Sequence, residues 1–143
     1  MRSRIFFIFS VVVSLTFFIS TVYAEIVVVA HSDNPITSLT KAEVKKFFLK
    51  KMKNLPGGGV WQPIDLPQGD ADRVKFYQKI IGKTDAQIGA YWAGQVFSGK
   101  SIPPLGATST DDMLLRINQD KSAISYTRKE NVSNGVKILY AVK

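Results

Sequence analysis

The chain has 143 residues, of which 19 are Lys or Arg and 11 are Asp or Glu, so its formal net charge is +8. This length predicts one small domain rather than several. The absence of Cys excludes disulfides and lipid attachment through a thiol, and a single histidine, His31, leaves zinc without a ligand set. We therefore expect no metal and no cofactor, and packing must stabilise the domain.

The first 24 residues have the three parts of a secretory signal peptide. Met1 to Arg4 is basic, residues 5–19 are mostly apolar, and Val22-Tyr23-Ala24 has the small residues that signal peptidase needs. We predict a signal peptide at residues 1–24 and a mature domain at residues 25–143, located in the periplasm. The alternative is an uncleaved anchor, since about 20 residues suffice to span a bilayer.

Removal of this leader takes away Arg2 and Arg4 and leaves 119 residues with 17 basic and 11 acidic side chains. The remaining excess of positive charge favours anionic lipids or anionic solutes as partners. Because an exported chain does not meet nucleic acid, we expect no nucleic-acid partner. We also expect no stable membrane insertion once the leader has been cleaved.

Two segments near the start of the mature chain carry clear local signals. Residues 26–30 form a β-branched run, which predicts a strand covered on both faces, as in a parallel sheet. Thr40-Lys41-Ala42-Glu43 is a capping box, and the helix after it is predicted to carry four apolar residues on one face, Val44, Phe47, Phe48 and Met52. The opposite face is predicted either to be solvated or to dock an acidic partner or lipid headgroups. That face carries five lysines, Lys41, Lys45, Lys46, Lys50 and Lys53.

Further strands and helices follow along the chain. The three glycines at 57–59 predict a loop, and residues 60–66 predict a second strand with Pro63 at an edge. Thr84-Asp85-Ala86-Gln87 is another capping box. The helix that it begins is predicted to bury Ile88, Tyr91, Trp92 and Val96. The remaining predicted elements are a short helix from Ser109 and closing strands at residues 123–126 and 136–142.

The most informative stretch is the junction at residues 65–73, Asp65-Leu66-Pro67-Gln68-Gly69-Asp70-Ala71-Asp72-Arg73. Pro67 and Gly69 predict a turn, and Asp70 and Asp72 are suited to cap the helix that follows. A strand, turn and helix start is where α/β proteins hold anions on unpaired backbone N–H groups. The alternatives are a junction that only caps its helix, or aspartates that form a glycosidic carboxylate pair or a calcium site.

One motif match is rejected on its context. Residues 94–101 spell G-x-x-x-x-G-K-S, the phosphate loop of nucleotide-binding enzymes. That loop needs a strand before it and a helix after it, whereas here a helix precedes and Pro103 and Pro104 prevent one from following. Gly99 is predicted to end the helix instead. His31 also lacks a nucleophile and an acid in a recognisable pattern, so we predict that the protein is not an enzyme.

The order of these segments resembles the phosphate-binding family of periplasmic solute-binding proteins, specifically their second lobe. The resemblance covers nearly the whole mature chain and implies an α/β fold, a single three-layer lobe with a small mixed sheet. It also implies a short, stand-alone form of an ABC transporter component that binds phosphate or another small anion. The matching segments are Ile26 to Ala30 with Asn34-Pro35, Ser38-Leu39-Thr40, Phe47 to Lys51 with Trp61, Gly69 with Phe76, Tyr91-Trp92, Phe97 to Lys100 with Pro103-Pro104, and Ser122 to Tyr126.

The resemblance places the ligand-binding residues at Gly69, Asp70, Ala71, Asp72 and Arg73. In the family an Arg precedes a Ser-Gly-Thr turn that grips phosphate. Here Leu66 stands at the Arg position, Asp70-Ala71-Asp72 replaces the turn, and Arg73 is the nearest cation. We therefore expect weak or lost phosphate affinity. The alternative function is an envelope interaction module that keeps the fold and binds a transporter or envelope protein through its lysine-rich helix.

Overall fold

The computed structural model describes residues 24–52 and 54–142, so the predicted signal peptide lies outside the described residues apart from Ala24, and Lys53 lies outside them too. Within those two ranges, no helix is both long and apolar enough to cross a membrane. The strands are β1 (Ile26–His31), β2 (Gln62–Asp65), β3 (Leu105–Gly106), β4 (Ala123–Arg128) and β5 (Val136–Ala141). The α-helices are α1 (Lys41–Phe48), α2 (Ala71–Phe76), α3 (Asp85–Phe97) and α4 (Thr110–Gln119). Two other helical segments are a π-helical turn at Tyr77–Ile81 and a 3₁₀ turn at Lys129–Asn131.

The five strands form one mixed sheet in the order β3-β2-β4-β1-β5. β2 is parallel to β3 and β4, whereas β1 is antiparallel to both β4 and β5. The expectation of a parallel setting for β1 was therefore wrong, although residues 26–30 are buried as predicted. Burial on both faces depends on what covers the sheet, and it does not fix the direction of the neighbouring strands.

β2 illustrates how a proline is accommodated inside a sheet. Gln62 and Pro63 pair with β4 on one side, and pairing with β3 on the other side begins at Ile64. Pro63 therefore lies where β2 has a strand partner on one side, which suits a residue without an N–H group. The strand ends at Asp65, where the chain leaves the sheet for the predicted junction.

A cluster of aromatic rings in the core joins the sheet to the helices on one face. The rings of Phe76 and Tyr126 stack with centroids 3.9 Å apart, and Phe48 meets Phe76 edge-on at 4.8 Å. All three residues are fully buried. Burial of one such side chain stabilises a fold by about 1.5–3 kcal/mol, so the cluster holds α1 and α2 firmly against β4. This packing sets where the helix after residue 70 begins relative to the sheet.

The helix ends follow the local signals closely. Thr40 and Glu43 form the predicted capping box, and so do Thr84 and Gln87. Gly82 ends the π-helical turn with φ +76°, a left-handed conformation that favours glycine. Each of these signals involves groups within four or five residues of one another, which is why the sequence pattern predicts them well.

The end of α3 departs from its predicted burial. Ile88 and Trp92 are buried and Tyr91 is half-buried, but Val96 is 53% exposed and Phe97 is 96% exposed. The prediction for Val96 was therefore wrong. Because the buried positions of α3 stop at Trp92, its last turn projects beyond the core, and helical periodicity cannot show where a supporting surface ends.

Candidate functional site

The candidate site is the junction where β2 leaves the sheet and α2 begins. The Asp70 N–H donates to the Pro67 carbonyl at 3.0 Å, which closes the predicted turn. Gly69 has φ +83°, so this position favours glycine. Gly69 and Ala71 are exposed, whereas Asp65, Asp72 and Arg73 are buried. The five predicted site residues, 69–73, are thus consecutive at this junction, but some of them face solvent and others are buried.

Asp70 caps α2 as the sequence predicts. Its Oδ1 accepts hydrogen bonds from the backbone N–H groups of Asp72 at 2.8 Å and Arg73 at 3.1 Å. These two amides are the donors that an anion would use at the start of this helix. A carboxylate of the chain itself therefore takes both of them.

Asp65 is the centre of a buried polar cluster that sequence analysis did not foresee. Its carboxylate accepts hydrogen bonds from the Tyr77 hydroxyl at 2.8 Å, from Arg73 Nε at 3.3 Å and from the Tyr126 hydroxyl. Burial, and then the negative charge of Asp65, raise the pKa of Tyr77 and of Tyr126 well above the ordinary value. Both hydroxyls therefore keep their protons and donate to the carboxylate. The Leu66 N–H in turn donates to the Tyr126 hydroxyl oxygen at 3.3 Å.

Arg73 lies between two carboxylates. Its Nε pairs with Asp65, its Nη1 pairs with Asp85, and its guanidinium stacks 4.9 Å from the ring centroid of Tyr77. The side chain of Arg73 is 9% exposed. Asp85 also accepts a hydrogen bond from the Gly69 N–H through Oδ2, at 3.0 Å. The cation that was predicted to hold an anion is thus neutralised from two sides within the protein.

Asp72 does not cap the helix, and this part of the prediction was wrong. Its carboxylate instead pairs with Arg128 Nε at 2.6 Å, at the end of β4. This hydrogen bond is the main reason that the pKa of Arg128 is raised. Asp70 already caps the helix, so the Asp72 side chain is not needed for that role. It pairs instead with Arg128, a residue of β4 that is close to Asp72 only in the folded protein.

Four residues of the site were missed by sequence analysis, namely Tyr77, Asp85, Tyr126 and Arg128. Tyr77 was recognised as helical, Asp85 as part of a capping box and Tyr126 as part of a strand, but no pattern links them to Asp65 or Arg73. Asp85 is 16 residues from Gly69, and Tyr126 is 61 residues from Asp65. In the described part of the chain, no group of three His, Asp or Glu side chains could hold a metal ion.

The G-x-x-x-x-G-K-S segment has the reversed context that excluded it. Residues 94–97 belong to the last turn of α3, Gly99 follows the helix with φ +68°, and residues 101–104 are irregular. The segment does not provide a strand-to-helix loop whose amides surround a phosphate.

A separate cationic surface lies between α1 and the π-helical turn. It is an open cavity of about 560 Å³ whose lining includes Lys41, Lys45 and Lys79, with Ile80 and Ile81 as the apolar part. Among the residues that the structure describes, these three lysines form no ion pair. Two lysines of the predicted lysine-rich face, Lys41 and Lys45, therefore share a positive surface with Lys79.

The mixed five-stranded sheet and the four α-helices form an α/β fold that resembles one lobe of a periplasmic binding protein. Two solved structures share this fold, and both come from phosphate transport systems. An ABC-type phosphate transport receptor from Vibrio cholerae matches with a TM-score of 0.62 over 80% of this chain, at 18% identity. A putative phosphate ABC transporter substrate-binding protein from Clostridium perfringens, with bound phosphate, matches with a TM-score of 0.63 over 80% of this chain, also at 18% identity.

The two matches establish the fold, and the predicted fold class is confirmed. This chain spans 45% of the length of the Vibrio cholerae receptor and 44% of the Clostridium perfringens protein. The sequence matches no protein-family model, and no curated protein is detectably similar to it. At this level of identity, any role in phosphate binding has to be argued from the site itself.

Proposed function

We propose that this chain is an exported domain of the solute-binding type, derived from phosphate receptors, that binds phosphate no more tightly than about millimolar. The fold and its two phosphate-receptor neighbours support the first part of the proposal. The observation that carries the second part is that carboxylates of the chain already occupy the anion-binding groups. Asp70 accepts hydrogen bonds from the Asp72 and Arg73 amides, and the Arg73 side chain pairs with Asp65 and Asp85.

The electrostatic balance at the junction argues against tight anion binding. Two charges about 5 Å apart interact by roughly 3 kcal/mol at an effective dielectric constant of about 20. An incoming phosphate at Arg73 would gain one such attraction, but it would meet repulsion from both Asp65 and Asp85. Asp70 and Asp72 add two more negative charges within the same turn. One arginine cannot offset these carboxylates, so a free anion gains little.

The proposed form is a single lobe that functions in the periplasm after removal of residues 1–24. In a two-lobed receptor, closure around the ligand removes water and strengthens each polar contact. A lobe that acts alone leaves a bound ion hydrated on one side, which weakens every contact further. Because β1 begins at Ile26, cleavage after Ala24 would leave every described strand and helix whole.

Calorimetric titration of residues 25–143 with inorganic phosphate tests the proposal directly. A dissociation constant of about 1 mM corresponds to roughly 4 kcal/mol of binding free energy, and we expect binding at this level or weaker. Sulfate at the same ionic strength is the control for non-specific charge screening. A micromolar dissociation constant for phosphate would overturn the weak-binding proposal and restore the role of a transport receptor.

The positive surface favours a second candidate function, an envelope interaction module. Lys41, Lys45 and Lys79 lie around one cavity and have no acidic partner in the described residues, so an acidic protein surface would complement them. A photo-reactive residue placed at position 45 in the periplasm should form a specific adduct. The same probe at Lys129, which pairs with Glu25 elsewhere on the surface, is the matched control. Equal labelling from both positions would contradict this function.

A further inference from the structure

We propose that Asp85 is the residue that determines the specificity of the Arg73 site, because its carboxylate occupies the position of a small oxyanion ligand. This inference rests on the proposed function and deepens it. The ligand class that Asp85 excludes is a small tetrahedral oxyanion such as inorganic phosphate. Asp85 thus acts as a carboxylate ligand that belongs to the chain itself. Removal of its charge should allow a free oxyanion to bind at Arg73.

The contacts of Asp85 resemble those of a bound oxyanion. The backbone N–H of Gly69 donates a hydrogen bond to this carboxylate, and the guanidinium of Arg73 forms an ion pair with it. The two oxygens of Asp85 have separate partners, with Oδ2 on Gly69 at 3.0 Å and Oδ1 on Arg73 Nη1. Backbone amides and arginine are the donors that proteins use to hold phosphate and carboxylate groups. Asp85, which is 16 residues from Gly69 in the sequence, places its carboxylate between these two donors.

The exposure of the three charged side chains shows which of them can be exchanged for a free ion. Asp65 and Arg73 are each 9% exposed, whereas Asp85 is 19% exposed and Gly69 lies at the surface. Asp65 therefore holds Arg73 from the inside, together with the Tyr77 hydroxyl. Asp85 covers Arg73 from the solvent side. Loss of the Asp85 charge would leave the guanidinium supported on its inner side and accessible on its outer side.

A purely structural role for Asp85 makes a different prediction. Asp85 lies in the first turn of α3, where any acid interacts favourably with the helix dipole, and its contact with Gly69 ties the turn to α3. If this were its whole role, replacement would lower stability without creating an anion site. Asp111 is a matched control, because it lies in the first turn of α4 and is exposed. Its replacement removes the same charge from the same kind of position.

The test compares Asp85→Asn and Asp111→Asn with the wild type, all as residues 25–143. Inorganic phosphate is titrated at constant ionic strength, and binding is measured by calorimetry and by the amide resonance of Gly69. We expect Asp85→Asn to bind phosphate at least about tenfold more tightly than the wild type, because one of the two carboxylates that pair with Arg73 has lost its charge. We expect Asp111→Asn to match the wild type. Phosphate should also raise the melting temperature of Asp85→Asn more than that of the wild type.

The inference is tested by the ratio of the phosphate dissociation constants of Asp85→Asn and the wild type, and this test does not depend on the absolute wild-type affinity. A folded Asp85→Asn that binds phosphate no more tightly than the wild type would overturn the inference and assign Asp85 a structural role. Micromolar binding by the wild type would overturn the proposed function instead. If Asp85→Asn is unfolded, refolding by phosphate but not by chloride at equal ionic strength supports the inference, and equal effects of both salts overturn it.

Discussion

The Tyr77 hydroxyl donates a hydrogen bond to Asp65 at 2.8 Å and so joins the first residue of the π-helical turn to the last residue of β2. Both residues are buried, and burial together with the charge of Asp65 keeps the hydroxyl protonated. This bond supports the carboxylate that holds Arg73 from the inside. A short helical segment with widened π geometry thus has a direct part in positioning the charged groups of the candidate site.

Tyr77→Phe should lower the free energy of unfolding by about 1–3 kcal/mol, because a buried carboxylate loses one of its donors while the aromatic packing is kept. Urea denaturation of the mature chain measures this change. Tyr140→Phe is the control, since Tyr140 is half-buried in β5 and its hydroxyl makes no hydrogen bond within the described residues. We expect the control to lie within about 0.5 kcal/mol of the wild type. Equal losses for both variants would contradict the role given to Tyr77.

The raised pKa of Tyr77 and of Tyr126 predicts a loss of stability at alkaline pH. In the unfolded chain a tyrosine ionises near its ordinary pKa of about 10, whereas in the folded protein these two stay neutral. Their contribution to stability is therefore complete below about pH 10 and is lost as the pH rises further. Absorbance at about 295 nm should show Tyr77 and Tyr126 ionising together with unfolding measured by circular dichroism. Ionisation of all tyrosines in one step before unfolding would refute this expectation.

Arg73→Ala should be strongly destabilising, by about 3–5 kcal/mol, because it leaves Asp65 buried without its cation and Asp85 without its partner. Thermal and urea unfolding measure the effect. Arg116→Ala removes a partly exposed arginine that pairs with Asp112 one turn away on α4, and we expect a much smaller change. Similar effects of the two substitutions would show that the Arg73 cluster does not contribute to stability as a buried network.

Export predicts that the mature protein begins at Glu25. The prediction follows from the basic start, the apolar run at 5–19 and the small residues before the cleavage point. N-terminal sequencing of the protein from the periplasmic fraction checks it, and an Ala24→Arg variant should accumulate as the uncleaved precursor. Protein in that fraction that still begins at Met1 would contradict the prediction.

Sequence by itself determined the features that depend on neighbours in the chain. Capping boxes at Thr40 and Thr84, the turn at Gly69 and the cap at Asp70 all rely on hydrogen bonds between groups two to four residues apart. Such contacts form whatever the rest of the fold does, so residue type and spacing predict them. Hydrophobic periodicity predicted the order of the four α-helices and of β1, β2, β4 and β5, and with the resemblance it led to the correct fold class. β3 and the π-helical turn were not predicted.

Tertiary structure alone decided which partners the charged residues meet. Asp72 pairs with Arg128, which is 56 residues away in the sequence, and Asp65 accepts a hydrogen bond from Tyr126, which is 61 residues away. These pairs exist because packing of Phe76 on Tyr126 sets α2 against β4, and no local pattern encodes that distance. α3 lies against the π-helical turn that follows α2, and Asp85 at its start reaches Gly69 and Arg73. Whether the junction accepts a free anion is therefore a property of side chains that become neighbours only after folding, and local spacing cannot reveal it.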